Sequence, residues 1–212
     1  WVEYNPDIIT GWNVKFFDIP YLMNRFRYLM GDEWLNQFSP WGVVEQKSAS
    51  VLFASREQQV WNIMGVDTLD YLDLYRKFTF VRRESYKLDY IGEVELGQNK
   101  LDNPYDTFKE FYSNDYQRFV EYNIQDVELV DKLEDKLQLI ALFLTMAYEA
   151  KVNYQDVFGQ VRIWDCIIYH HLRSNNIVPP AIQESKTSSG YEGAYVKDPV
   201  VGFHDWVCSF DL

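Results

Sequence analysis

Soft metal ligands are scarce in this sequence: 212 residues hold two cysteines and three histidines. Cys166 and Cys208 stand far apart and in no metal-ligand spacing, which suits a reducing cytosol and a pair of ordinary buried thiols. A helix would point the adjacent His170 and His171 in different directions, which argues against a zinc site. Positive charge is also short. Twenty Lys and Arg face 32 Asp and Glu, a net charge of −12. That balance argues against broad, non-specific binding to nucleic acid, because phosphate contacts need local positive charge. It leaves room for a metal-dependent site, where the cation reverses the local sign. No charge-free apolar run reaches the ~18 residues of a membrane span. The first residues lack the basic and apolar regions of a secretory signal. A cytoplasmic chain that stays off the membrane is expected.

What is plentiful is apolar and aromatic side chain. Hydrophobic residues make up 47% of the chain and aromatic residues 17%. A real core is within reach, in one large domain or in pieces of two. The basic residues cluster at Arg76, Lys77, Arg82, Arg83 and Lys87, either as a solvated face or as a patch facing phosphates. The chain starts on Trp1 and ends on Trp206 to Leu212, which reads as an unfinished buried strand. Both ends read as cuts, so a fragment of a longer protein is expected.

The pattern along the chain alternates. Ile8 to Trp12 reads as a strand. Asp18 then precedes Pro20, which is favoured in the first turn of a helix, and the helix runs to Met30. The stretch 43–64 is rich in β-formers and predicts a hairpin or a three-stranded excursion, with a further strand over Val66 to Leu69. Short helices are expected over Tyr71 to Phe78, from a Ser85 cap onward, and around Phe108 to Tyr112. A long helix then runs from a cap at Asn114 or Asp115 to about Ala150. Val161 to Leu172 is helical, and strand-like pieces follow at Ala194–Val196 and Trp206–Leu212.

Two acidic signatures carry chemistry. Gly11-Trp12-Asn13-Val14-Lys15-Phe16-Phe17-Asp18 ends on a carboxylate at a strand-to-helix junction, where the helix dipole favours its ionised form. Tyr122-Asn123-Ile124-Gln125-Asp126 puts Tyr122 and Asp126 four residues apart on one helix face. Phosphodiester hydrolysis by two metals needs several carboxylates around ions ~3.5–4 Å apart. Mg²⁺ or Mn²⁺ suits such oxygen ligands. Asp18 and Asp126 are the candidate ligands, Tyr122 a hydrogen-bond donor, and Lys100 a source of positive charge for the same phosphate. Each also has a plain reading: a helix-capping Asp18, a surface Asp126 among cheap acids such as Glu134, a core Tyr122 and a solvated Lys100.

The order of the motifs resembles that of family B DNA polymerases. Asn13 through Asp18 is similar to the second exonuclease motif, and Tyr122 through Asp126 to the third. Tyr191-Glu192-Gly193-Ala194 resembles the small motif between the exonuclease and polymerase domains. Ser209-Phe210-Asp211-Leu212 resembles the opening of polymerase motif A. Gly11–Asn24, Asp70–Phe78, Tyr86–Ile91 and Trp164–Ile168 resemble the branch of the family found in T-even-type bacteriophages.

The resemblance implies an α/β, RNase H-like 3′-5′ exonuclease fold with an incomplete sheet and a β-hairpin insertion over residues 1–138. It implies a helical segment of the N-terminal domain over 139–181 and the first palm strands over 182–212. The implied roles are exonuclease metal ligands at Asp18 and Asp126, catalytic neighbours at Tyr122 and Lys100, and DNA contacts at Asn13, Phe17, Tyr191, Gly193 and Ala194. Asp211 and the Leu212 carbonyl would begin the polymerase metal site. Primer-template DNA, a single-stranded primer end and the remainder of the polymerase are the implied partners, in a host cytoplasm if phage-encoded. The family's first exonuclease motif, an Asp-x-Glu pair on an early strand, would be expected upstream of Trp1. The fragment alone is therefore expected neither to edit nor to polymerise. The competing readings are a stand-alone or inactive RNase H-like module, and an acidic scaffold for basic partners.

Overall fold

The computed structural model describes residues 1–50, 57–179, 197–198 and 200–208. The described chain is mixed α/β and divides into two units, residues 1–177 and 178–212. In the first unit, β1 (Ile8–Gly11) lies parallel to β4 (Asp67–Asp70), with Ile8 opposite Asp67 and Gly11 opposite Asp70. Between them come α1 (Asp18–Met30), α2 (Asp32–Leu35) and an antiparallel hairpin of β2 (Val44–Ser50) and β3 (Glu57–Ile63). The hairpin pairs Val44 with Ile63 and forms its own two-stranded sheet. The expected excursion is thus a hairpin.

The helices follow: α3 (Tyr71–Phe78), α4 (Leu88–Leu96), α5 (Phe108–Asn114), α6 (Tyr116–Leu137), α7 (Leu139–Ala150) and α8 (Gln160–Ser174). Two apolar cores hold the unit. Ile19 and Met23 of α1 pack with Val14, Phe38, Trp61 and Ile63. Leu69, Leu74, Ile91, Leu129, Leu133 and Phe143 form the other, joining β4 and α3 to α4, α6 and α7. The second core fixes α6 against the strand pair, and α6 carries Asp126.

Several expectations need correction. The long helix to Ala150 is two helices. Gln138 takes a left-handed φ of 53° between them. Glu134 makes that break tolerable: its carboxylate accepts the amides of Ile140 (3.0 Å) and Ala141 (3.2 Å) at the start of α7, and the Tyr71 hydroxyl (3.1 Å). Glu134 is therefore a structural acceptor rather than a cheap surface acid. Ser85 does not cap α4; Lys87 occupies that position, and Ser85 Oγ accepts the Lys87 amide. Cys208 is exposed and Cys166 half-buried, so the pair of buried thiols is not found. Residues 206–208 form no strand, while the rest of the expected Trp206–Leu212 strand and all of the expected strand at 194–196 lie outside the described residues. No helix among the described residues is long and apolar enough to cross a membrane.

The basic cluster also resolves. Arg83 binds Glu95 at 2.7 Å and the Tyr75 hydroxyl at 3.1 Å. Lys77 donates to the Phe158 carbonyl at 2.8 Å, and Arg76 lies 4.5 Å from the Tyr86 ring centre. Three of its five members are thus engaged within the protein rather than arrayed toward an external phosphate.

Candidate nuclease site

The first acid is delivered by a tight turn. After β1 ends, Asn13 takes a left-handed φ of 63°, a conformation Asn tolerates better than most residues. The amides of Phe16 and Phe17 bind back to the Asn13 carbonyl, and the Ile19 amide binds the Val14 carbonyl. This sets Asp18 as the first residue of α1, exposed at a helix N-terminus, where the dipole favours a carboxylate. Phe17 caps the helix through its backbone and is itself 67% exposed.

The second acid comes from α6. Asp126 and Tyr122 are half-buried on neighbouring turns of one face. Lys100 reaches them from the loop between α4 and α5. Gly97 closes α4 in the left-handed region (φ 67°), and the Gln98 amide folds back to the Gly92 carbonyl. That close return requires a glycine at 92: an added Cβ would sit 2.8 Å from the Gln98 carbonyl oxygen. The Lys100 amide binds Asp89 at 2.8 Å, and Gln125 of α6 holds the Asn99 carbonyl at 3.2 Å.

These devices bring the four residues together. Lys100 Nζ lies 2.5 Å from Asp126 Oδ2 and 5.4 Å from the centre of the Tyr122 ring. Phe108 meets that ring edge-on at 6.0 Å. The Asp18 carboxyl is raised above the usual carboxylate range, first by the protein that crowds it. Its own amide opposes the shift, Asp126 adds to it by like-charge repulsion, and Lys100 opposes it as a cation. Asp18, Asp126 and Lys100 thus share one electrostatic neighbourhood. Asp126 is half-buried and paired with Lys100, so neither is a free surface charge.

The donor set fits one hard cation in part. Asp126 Oδ1 is buried and accepts no hydrogen bond, an arrangement that is costly unless another ligand compensates it. Mg²⁺ or Mn²⁺ can be held by one or two carboxylates when water and phosphate fill the remaining positions. No group of three or more His, Cys, Asp or Glu able to hold a metal occurs among the described residues. Two ions therefore lack a complete cage among those residues. Tyr191, Gly193, Ala194, Asp211 and Leu212 lie outside the described residues.

One site residue escaped sequence reasoning. Asp70 ends β4, is 2% exposed, and accepts three amides: Asn13 at 2.9 Å, Lys15 at 3.0 Å and Leu72 at 3.0 Å. Burial pushes its carboxyl up to about 6, with neighbouring Asp73 adding to the shift and the three amides opposing it. The visible signal was an acid directly before a helix, the usual mark of an N-cap.

The strand pair, its acid-bearing turn and the α6 acid belong to one mixed α/β unit. Residues 1–91 match the family model described as DNA polymerase family B, exonuclease domain, so this stretch belongs to that family and the chain is a relative of its polymerases. The DNA-directed DNA polymerase of Escherichia phage RB69 is 40% identical over 214 residues, covering 100% of this chain and 23% of that protein. The DNA-directed DNA polymerase of Enterobacteria phage T4 is 37% identical over 213 residues, again covering 100% of this chain and 23% of that protein. The DNA polymerase delta catalytic subunit of Caenorhabditis elegans is 30% identical over 217 residues, covering 96% of this chain and 20% of that protein. The chain thus spans less than a quarter of the length of these relatives.

Proposed function

We propose that the chain carries part of the 3′-5′ proofreading exonuclease site of a replicative family B DNA polymerase, in an RNase H-like fold. On this reading residues 1–138 belong to the exonuclease domain, 139–181 to the N-terminal domain, and 182–212 to the start of the palm. Asp211 and Leu212 open the polymerase metal site, and Tyr191 to Ala194 touch template. The single observation that supports the reading is the convergence of Asp18, Lys100, Tyr122 and the donor-free Asp126 Oδ1 from separate elements.

The substrate is the single-stranded end of a primer. Phe17 offers an exposed ring for a base to stack on, and Asn13 lies in the same turn. Lys100 sets positive charge beside the terminal phosphate, and the Tyr122 hydroxyl orients water or a phosphate oxygen. Asp18 and Asp126 would hold a divalent ion, which would supply Lewis-acid activation of water and phosphate. With these two carboxylates alone, the 212-residue chain is expected to bind Mn²⁺ but to show no meaningful exonuclease turnover. Electron paramagnetic resonance titration of free Mn²⁺ tests the site. Asp18→Asn and Asp126→Asn should each weaken binding at least tenfold, the scale of losing a carboxylate ligand or its partner. Affinity unchanged in both variants would end the nuclease reading and favour an acidic scaffold. Clear hydrolysis of single-stranded DNA, lost in Asp126→Ala, would refute the expected inactivity.

A further inference from the structure

Asp70 is more heavily bonded than a helix cap requires. A cap uses one side-chain acceptor for an amide of the first turn, and Leu72 supplies that donor. The other two amides belong to Asn13 and Lys15, more than 50 residues earlier, in the turn that leads to Asp18. Oδ1 serves Asn13 and Leu72, while Oδ2 serves Lys15 alone. The parallel register explains the reach: Gly11 pairs with Asp70, so the turn leaving β1 passes directly over the carboxylate.

The same turn is held from two further directions. Trp12 Nε1 donates to the Tyr86 carbonyl at 3.1 Å. Burial raises the Asp73 carboxyl, which is 5% exposed, and the Lys15 side chain lies near enough to oppose that shift. Beyond Phe17 the chain becomes helix, so Asp18 inherits the position of this turn.

We propose that Asp70 is the positioning residue of the acidic site: its carboxylate clamps the Asn13–Lys15 turn and thereby fixes where Asp18 stands relative to Asp126. The proposal rests on the reading of Asp18 and Asp126 as ligands of one site. It assigns Asp70 no contact with metal or substrate. Its three amide donors are backbone groups, so the clamp does not depend on which side chains the turn carries.

The test separates the clamp from the cap. In Asp70→Asn one carbonyl oxygen remains, and Asn is as good an N-cap as Asp. The variant can keep Leu72 and still must lose an acceptor for the turn. Amide hydrogen exchange across residues 13–18 should accelerate about tenfold, the scale of one or two bonds to a charged acceptor. Exchange at Leu74 to Lys77 in α3 should stay unchanged. Asp70→Ala should accelerate both regions. Mn²⁺ affinity should fall about tenfold in Asp70→Asn, as for partners that orient metal ligands. Exchange unchanged in residues 13–18, or accelerated equally in α3, overturns the proposal. Selective loosening with Mn²⁺ affinity intact also overturns it, provided Asp18→Asn or Asp126→Asn weakens Mn²⁺ binding. If Asp18→Asn and Asp126→Asn both leave Mn²⁺ binding untouched, the nuclease reading fails by itself, and the exchange measurement alone decides whether Asp70 holds the turn.

Discussion

Asp18 and Asp126 are two acids whose charges feel each other before any ion arrives. Crowding by protein raises the Asp18 carboxyl most, the Asp126 charge adds to that shift, and Lys100 opposes it. In the metal-free chain, Asp126→Asn should therefore lower the Asp18 titration midpoint, and Lys100→Met should raise it. Carbon-13 carboxyl NMR over pH 3 to 8 reads both. Opposite signs would show that the three groups do not share a site. Asp70 makes a different forecast. Its carboxyl stands at about 6 against an ordinary 3.8, so the folded chain holds this proton more tightly than the unfolded chain. The associated stability is present below about pH 4 and is lost as pH rises through about 6. The gap corresponds to about 3 kcal/mol. Urea unfolding should show the parent losing about that much relative to Asp70→Asn between those pH values. A parent-to-variant difference that stays flat would mean the buried carboxylate is not strained by its surroundings.

Among elements, the break between α6 and α7 bears most on the site, because α6 must lie where the second core puts it. Glu134 bridges the end of one helix to the start of the next and to Tyr71 of α3. Glu134→Ala leaves two amides and a buried hydroxyl without their acceptor, a cost of about 2–3 kcal/mol. Thermal unfolding should shift down by roughly 4–12 °C for a chain of this size. Glu134→Gln, which keeps one acceptor oxygen, should lose less. This break was not legible in the sequence, since the apolar spacing from Phe119 to Ile140 runs through it without interruption. A left-handed Gln carries no sequence mark of the kind that Gly31 and Gly97 give to other helix ends. The extent of α3 was legible, and the hairpin and the Asp115 cap of α6 were each one of two readings that the sequence offered, because each depends on local propensity and near neighbours.

For the molecule as a whole, the first unit holds both apolar cores and all four residues proposed for the exonuclease site. A chain ending at Ile177 should therefore keep a cooperative unfolding transition and the Mn²⁺ affinity of the full chain, as calorimetry and titration would show. Loss of either would mean that residues beyond 177 are needed. The grouping of Asp18, Tyr122, Lys100 and Asp126 was expected through the family resemblance, since spacing alone left each with a plain reading as a cap, a core ring, a solvated lysine or a surface acid. The Asp70 clamp could not be anticipated, because its partners are backbone amides brought over it by strand register, and amides have no letter in a sequence.

The acids lie 108 residues apart in the chain, and the turn bearing the first is held by a carboxylate 57 residues after Asn13. Closing such long loops is slow compared with forming local helices and hairpins. At translation rates of 5–20 residues per second, roughly 5 to 20 s separate the synthesis of Asp18 from that of Asp126. The nascent molecule can therefore gain its clamp well before its second acid leaves the ribosome. The turn that holds Asp18 would then be in place before the acid that faces it, and a ribosome stalled in that interval would hold the clamped turn without Asp126.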